Sequence, residues 1–162
     1  MSKIKRALFL LLGMLIAINI LPSTEVHAKK KYYFNSYITG FNTDEACSSL
    51  SDIVMLTRII HAEAGNQDYI GKQLVADVVL NCCDKFDQSV EEVIFAKNQF
   101  STVCDGAYQR AAYEYTEEDF AAALEEYSAK QRVDSRVLFF TAGYYNPYCV
   151  PMYVHGDHYF GR

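Results

Sequence analysis

The chain has 162 residues, 51% of them apolar and 14% aromatic, and it carries 15 Lys+Arg against 20 Asp+Glu. That length holds one domain with a short appendage, and 22% charge with 8 Gly and 3 Pro excludes wholesale disorder and collagen-like repeats. A formal charge of −5 argues against a nucleic-acid partner, which would require a basic face.

The first 28 residues belong to a different class from the rest. Lys3, Lys5 and Arg6 precede an apolar run from Ala7 to Ile18, and Val26-His27-Ala28 has the small-x-small form of a cleavage site. This is the order of a secretory signal. An uncleaved anchor is the alternative, but Ala7 to Leu21, broken only by Asn19, supplies fifteen residues where a span needs about 18. The expectation is a signal peptide over 1–28, with no stable membrane anchor after its cleavage and a secreted or wall-associated product. The remaining 134 residues carry 12 basic and 19 acidic side chains and keep all five cysteines, Cys47, Cys82, Cys83, Cys104 and Cys149. An odd count in an exported chain leaves at least one free thiol or an intermolecular bridge. Adjacent Cys82 and Cys83 are not expected to pair with each other, and no CxxC spacing marks a structural zinc site.

Lys29 to Asp44 is basic, then aromatic and polar, without helical period, so 29–50 reads as an N-terminal arm. From Ser51 the pattern changes. Ile53, Leu56, Ile59, Ile60 and Glu63 fall on one helical face, with Ser51 or Asp52 as cap and Gly65-Asn66 as stop. A second helix is predicted from about Tyr69 to Cys83, with Ile70, Leu74, Val78 and Asn81 along one stripe, and a short third over Val90 to Ala96. The fourth, Glu117 to Lys130, is expected to turn Phe120, Ala121, Leu124 and Tyr127 inward and to leave Glu118, Glu125 and Glu126 solvated. Beyond Arg136 the period drops to two. Val137 to Thr141 is β-rich, and Met152, Val154, His158 and Phe160 alternate with Tyr153, His155, Asp157 and Tyr159 across a Gly143–Tyr148 loop. The expected architecture is α+β and mostly helical, a single domain over 51–162 with a small C-terminal β-hairpin.

Glu63 stands out because it continues the apolar face of the first helix, seven residues after Leu56 and four after Ile59. A carboxyl group placed there between Ala62 and Ala64 loses solvation, which disfavours its charged form and suits a general acid. The competing interpretation is a helix-terminal glutamate paired with Arg58 or Lys72, since structural ion pairs perturb carboxylates too.

Leu56-Thr-Arg-Ile-Ile-His-Ala-Glu-Ala-Gly65, followed by Gly71-Lys-Gln-Leu-Val-Ala-Asp-Val-Val-Leu-Asn81, resembles the SleB/CwlJ-type cell-wall hydrolases, which include spore cortex-lytic enzymes. The likeness continues through Val90-Glu-Glu-Val-Ile94, Gln99-Phe-Ser101 and Gly156-Asp-His-Tyr-Phe160, so it covers about residues 50–162. What it implies is a lysozyme-like, lytic-transglycosylase-like fold acting on peptidoglycan glycan strands, with the family's catalytic glutamate at Glu63. In that scheme one glutamic acid protonates the oxygen between N-acetylmuramic acid and N-acetylglucosamine, then deprotonates the muramoyl 6-hydroxyl as a 1,6-anhydro ring closes. A two-carboxylate hydrolysis would need a partner, for which Asp68, Asp77 and Asp105 are candidates. The family's Asn-Arg after the second helix is here Asn81-Cys82, and no peptidoglycan-binding repeat precedes the domain. Wall targeting would then fall to the catalytic domain, the Lys29-Lys30-Lys31 arm, or an accessory wall or spore protein.

Gln99 and Ser101 are candidates for hydrogen bonds to sugar hydroxyls or N-acetyl groups, with Phe100 anchoring their loop, although a turn with one core Phe fits the same pattern. Tyr144, Tyr145 and Tyr148 suit a wet sugar groove, or equally a loop packed on the hairpin. His158 matches a family position and is also explained as a hydrogen-bonded strand histidine. No cofactor or metal is implied. The competing chemistry is a zinc-dependent N-acetylmuramoyl-L-alanine amidase drawing on His61, Glu63, His155 and His158, but His-x-Glu does not place two ligands on one helix face. A cysteine nucleophile has no recognisable motif around it, and a non-catalytic wall-binding protein is the remaining alternative.

Overall fold

The computed structural model describes the chain from Thr43 to Arg162, so the signal segment and most of the arm lie outside the described residues. Among the described residues, six helices precede a small antiparallel sheet. In chain order they are α1 (Thr43–Ala64), α2 (Tyr69–Phe86), α3 (Val90–Ile94), α4 (Ser101–Cys104), α5 (Ala107–Glu114) and α6 (Glu117–Ser128). The strands are β1 (Phe139–Ala142), β2 (Pro151–His155) and β3 (His158–Gly161). Ser51–Arg162 form one compact unit, and the fold that follows is that of this unit.

The helix expected from Ser51 starts at Thr43 instead, inside the segment read as an arm. Thr43-Asp44-Glu45 puts polar and acidic residues in the first turn, which suits a helix N-terminus although the run has no apolar period. Ile53, Leu56, Ile59 and Ile60 are buried, as their spacing predicts.

Helix α2 is more deeply placed than one apolar stripe implies. Every residue from Gly71 to Cys82 is buried, whereas Ile70, assigned to the stripe, is 43% exposed. The helix runs through the middle of the unit. Val75, Ala76, Val79 and Leu80 pack with Leu56, Ile59, Ile60, Val93, Ile94, Ala122 and Ala123, while Leu74 and Val78 meet Val137 and Phe160 under the sheet. Asp68 caps it by accepting from Gly71 N at 2.8 Å.

The sheet has the order β1-β3-β2, so the hairpin predicted from the alternation carries β1 as a third strand on its far edge. Phe140 lies opposite Phe160, and Ala142 opposite His158. A bulge between Pro151 and Tyr153 breaks the alternation of β2 and leaves Val154 48% exposed. All five cysteines are free thiols.

Helix α6 corrects two expectations. Ala121 is exposed, and Glu126, expected in solvent, is buried with Asp119. Asp119 Oδ1 receives Lys72 Nζ at 2.9 Å, its Oδ2 lies 2.8 Å from His61 Nδ1, and Thr116 N donates to that same oxygen at 2.8 Å. Burial alone would push the Asp119 carboxyl up, but Thr116, Lys72 and His61 together hold it below the usual aspartate range. Glu118 is the second partner of Lys72, at 2.9 Å.

This network predicts two different costs. Removing Asp119 strips a buried ammonium and an imidazole of their shared partner, so Asp119→Ala should destabilise by about 3–5 kcal/mol. Ser89→Ala breaks an exposed capping box at α3 and should cost only about 1 kcal/mol. Urea denaturation of both variants against the parent checks the ranking; equal midpoints would refute it.

Candidate active site

Glu63 lies one residue before the end of α1, half-buried, where the chain turns through Gly65-Asn66-Gln67-Asp68 into α2. Its side chain is held from one side by α4, since Thr102 Oγ1 donates to Glu63 Oε1 and the Thr102 backbone adds a second hydrogen bond. Its backbone carbonyl is held from another, because it accepts from the ring of buried His158 at the start of β3.

Opposed effects set the proton affinity of Glu63. Burial is the largest and raises its pKa, the two Thr102 hydrogen bonds lower it, and the negative charge of Asp105 just beyond α4 raises it again. The net shift is upward. A carboxyl group with that balance keeps its proton at higher pH than an exposed glutamate.

The turn between β2 and β3 docks on the α1–α2 connection that follows Glu63. His155 Nε2 meets Asp68 Oδ1 at 2.7 Å, Gln67 Nε2 donates to Asp157 Oδ2 at 3.1 Å, and Asp157 N donates to Gln67 Oε1 at 3.3 Å. Gly156 sits in the turn at φ +53°, and a Cβ there would lie 1.8 Å from Gln67 Oε1. The left-handed backbone therefore favours glycine, and a side chain there would push the Gln67 amide off the turn. Asp68 is held below the usual aspartate range, chiefly by its hydrogen bond with His155.

The other candidates divide. Phe100 is 5% exposed and belongs to the core, so it has almost no surface to offer a sugar. Its ring lies 6.0 Å from Phe140, whose ring is 4.7 Å from His158, and this aromatic row positions α4 and β3. His158 is likewise a buried positioning side chain; burial lowers its pKa, which keeps the ring neutral. Gln99 is half-buried and Ser101 exposed at the start of α4, next to Thr102. Tyr145 packs edge-on against Tyr159 at 5.1 Å, over the outer face of the sheet. Tyr144 is 64% exposed at the end of β1, where Gly143 N donates to Asp157 O, so it flanks the docked turn. Tyr148 is almost fully exposed farther along the loop.

The three candidate second carboxylates separate as cleanly. Asp77 is fully buried against Glu126 and Asp68 caps α2, which leaves Asp105 as the one whose charge reaches Glu63. His61 is taken up by Asp119 and His155 by Asp68, and among the described residues no three His, Cys, Asp or Glu side chains converge as a metal-ligand set. Thr102 is the site residue that sequence reasoning missed. It follows Gln99-Phe-Ser101 directly, but a four-residue helix shows no periodicity to mark it.

Comparison with known proteins gives a family and a fold. The family model described as cell wall hydrolase matches residues 66–161, a span that includes Gln99, Thr102, Asp105 and His158 and begins three residues after Glu63. Among solved structures, the catalytic domain of the Bacillus cereus SleB protein matches with a TM-score of 0.57 and 23% identity, covering 68% of this chain and 89% of that one. At that identity the likeness establishes a shared fold. No curated protein matches the chain.

The opposed effects on Glu63 generate a paired expectation. Thr102→Val removes a hydrogen bond to the carboxylate and should move the Glu63 titration to higher pH, while Asp105→Asn removes a like charge and should move it to lower pH. Carboxyl carbon NMR shifts of Glu63 followed against pH check both signs. Shifts in the same direction would show that the pair acts through packing alone.

Proposed function

Because this chain belongs to the cell wall hydrolase family, we propose that it is an exported enzyme cleaving the glycan strand of peptidoglycan, with Glu63 as both acid and base. Protonated Glu63 gives its proton to the oxygen between N-acetylmuramic acid and N-acetylglucosamine as the C1–O bond breaks. The resulting carboxylate then takes the proton of the muramoyl 6-hydroxyl while that oxygen closes on C1, giving a 1,6-anhydro end and returning Glu63 to its acid form. No second protein nucleophile is required, since the attacking oxygen comes from the substrate.

The observation that carries this reading is the setting of Glu63: a half-buried carboxyl held by Thr102, with its proton affinity raised by burial. Thr102 supports both halves of the cycle, because its hydroxyl stabilises the carboxylate formed after the first proton transfer. Exposed Ser101 and Tyr144 flank the same region and would contact the sugars, while Phe100 and His158 fix the elements that carry them. The likeness to cortex-lytic enzymes extends the proposal to spore cortex as the form of wall attacked. Export through cleavage after Ala28 is part of it, and N-terminal sequencing of exported protein should begin at Lys29.

A second reading is supported by Asp105, whose charge reaches Glu63. There it would activate a water on the opposite side of the bond, and the product would be a reducing muramic end.

Digestion of purified peptidoglycan followed by mass spectrometry separates these. The expected products are anhydromuramoyl ends, lost by about 100-fold or more in Glu63→Gln and unaffected by chelator. Reducing muramic ends that require Asp105 would establish the hydrolytic route instead. Stem peptides freed in a chelator-sensitive way would overturn both in favour of an amidase.

A further inference from the structure

Two carboxyl groups outside the Glu63 site meet in the interior between α2 and α6. Asp77 is fully buried and Glu126 is 3% exposed, and their side chains lie within hydrogen-bond reach of each other. Each has one oxygen served by a donor: Asp134 N reaches Asp77 Oδ2 at 2.7 Å, and Gln73 Nε2 reaches Glu126 Oε1 at 2.8 Å. The other oxygens, Asp77 Oδ1 and Glu126 Oε2, are buried without a donor. Two anions in that setting would repel each other and leave both oxygens unsatisfied. One proton held between them removes a charge and supplies the missing donor.

The surrounding groups do not replace that proton, and they treat the two carboxyls unequally. Asp77 is faced by Glu126 from α6, by Arg132 and the Asp134 amide from the chain between α6 and β1, and by Tyr153 from β2. Arg132 is drawn off by Asp84 Oδ2 at 2.5 Å and Asn81 Oδ1 at 3.2 Å, and Tyr153, pushed up to about 12, stays neutral. Glu126 is faced by Gln73 and Tyr69 of α2. Burial first, and then Glu126, push Asp77 up to about 8, against the pull of the Asp134 amide and of Arg132. When the proton leaves, that amide and Arg132 still favour the Asp77 anion, whereas Glu126 keeps the neutral Gln73 amide. Glu126 is therefore the partner expelled, and it lies two residues before the end of α6 at Ser128.

Glu126 sits between two residues that bridge to the helices on either side of the Glu63 turn. Tyr69 Oη, at the start of α2, donates to Glu125 Oε2 at 2.7 Å, and Tyr127 Oη donates to Asp52 Oδ2 of α1 at 2.8 Å. Three successive residues thus pin one turn of α6 to the helix that carries Glu63 and to the helix that follows it. The two outer bonds are exposed or part-buried and the middle contact is buried, so the middle one decides whether the turn stays docked. We propose that the Asp77–Glu126 pair is a proton-operated latch, which clasps the last turn of α6 to α1 and α2 while the pair shares a proton and releases that turn as the medium becomes alkaline. The latch is separate from the chemistry at Glu63 and acts whatever polymer is cut there.

Asp77 titrates at about 8 in the folded chain, above its ordinary 3.8. The stability that the shared proton contributes is therefore complete below about pH 4 and is lost as pH rises to about 8, by about tenfold in the folding constant per pH unit. The test follows backbone hydrogen exchange of the full chain at Glu125–Ser128, from about pH 6 to about pH 9, corrected for the intrinsic base-catalysed rate. In the parent, protection of this turn should fall by about tenfold or more across that range while the middle of α2 stays protected. Asp77→Asn and Glu126→Gln each place an amide donor where the proton lay, so in both variants the turn should stay protected throughout. Parent exchange that does not change with pH, or that changes equally in both variants, would overturn the latch. Should neither variant fold, the carboxyl carbon NMR shift of Asp77 in the parent decides. Titration near pH 8 together with loss of protection at the turn supports the latch, and an Asp77 already ionised at about pH 6 overturns it.

Discussion

A helix buried from Gly71 to Cys82 cannot tolerate an unsatisfied polar atom, and α2 carries four polar side chains in that stretch, Lys72, Gln73, Asp77 and Asn81. The last three recur every four residues and form one polar stripe. Each position of the stripe recruits a different element. Gln73 donates to Glu126 of α6 at 2.8 Å. Asp77 accepts from Asp134 N at 2.7 Å, and Asn81 donates to Asp134 O and Val137 O at 2.9 and 2.8 Å. The stripe therefore fixes where α6 lies and where the chain enters β1. Asp77 and Glu126 complete the arrangement as a carboxyl pair, with burial and the neighbouring Glu126 raising Asp77 far enough for it to keep a proton and donate it. An interior that satisfies a carboxyl pair by sharing a proton avoids burying two like charges.

From that anchored helix the geometry around Glu63 follows in steps. The start of α2 is capped by Asp68, and the same oxygen receives His155, so the cap that begins the helix also seats the β2–β3 turn. Phe160 packs on Leu74 and Val78, which places β3 and brings His158 to the Glu63 carbonyl. Phe100 joins the main core and carries Thr102 to the Glu63 carboxyl. Glu63 is thus held at its backbone from the sheet and at its side chain from α4, two elements far apart in sequence. A carboxyl clamped at both ends loses little freedom when a substrate arrives, which is the condition for precise proton transfer.

How much of this was legible depends on range. The face of α1 and the position of Glu63 on it could be read because helical spacing is local. The stop at Gly65 and the strands after Arg136 followed from the same kind of signal. What failed needed partners distant in sequence. Glu126 looks solvated in any window of α6, since nothing nearby shows that Gln73 and Asp77 lie against it. For Phe100 and His158 the sequence left a packing role open beside substrate contact, and both are buried where they hold α4 and β3 in place. The helices α4 and α5 escaped notice because four and eight residues give too few turns for a period to emerge. The bulge in β2 broke an alternation that would otherwise have assigned Val154 to the inner face.

Charge placement bears on how an acidic protein works on an anionic wall. With seventeen acidic and nine basic side chains in residues 51–162, long-range attraction does not draw the unit to its substrate, and the Debye length of about 8 Å at physiological salt screens what a local basic patch can exert at a distance. Attraction must therefore act after contact. Short-range groups are what the structure concentrates at the Glu63 end of α2: exposed Tyr144, Ser101 and a half-buried acid. For the activity proposed above, like charge on the rest of the surface and on an anionic polymer weakens adhesion outside the site, so that short-range groups alone decide where such a polymer is held.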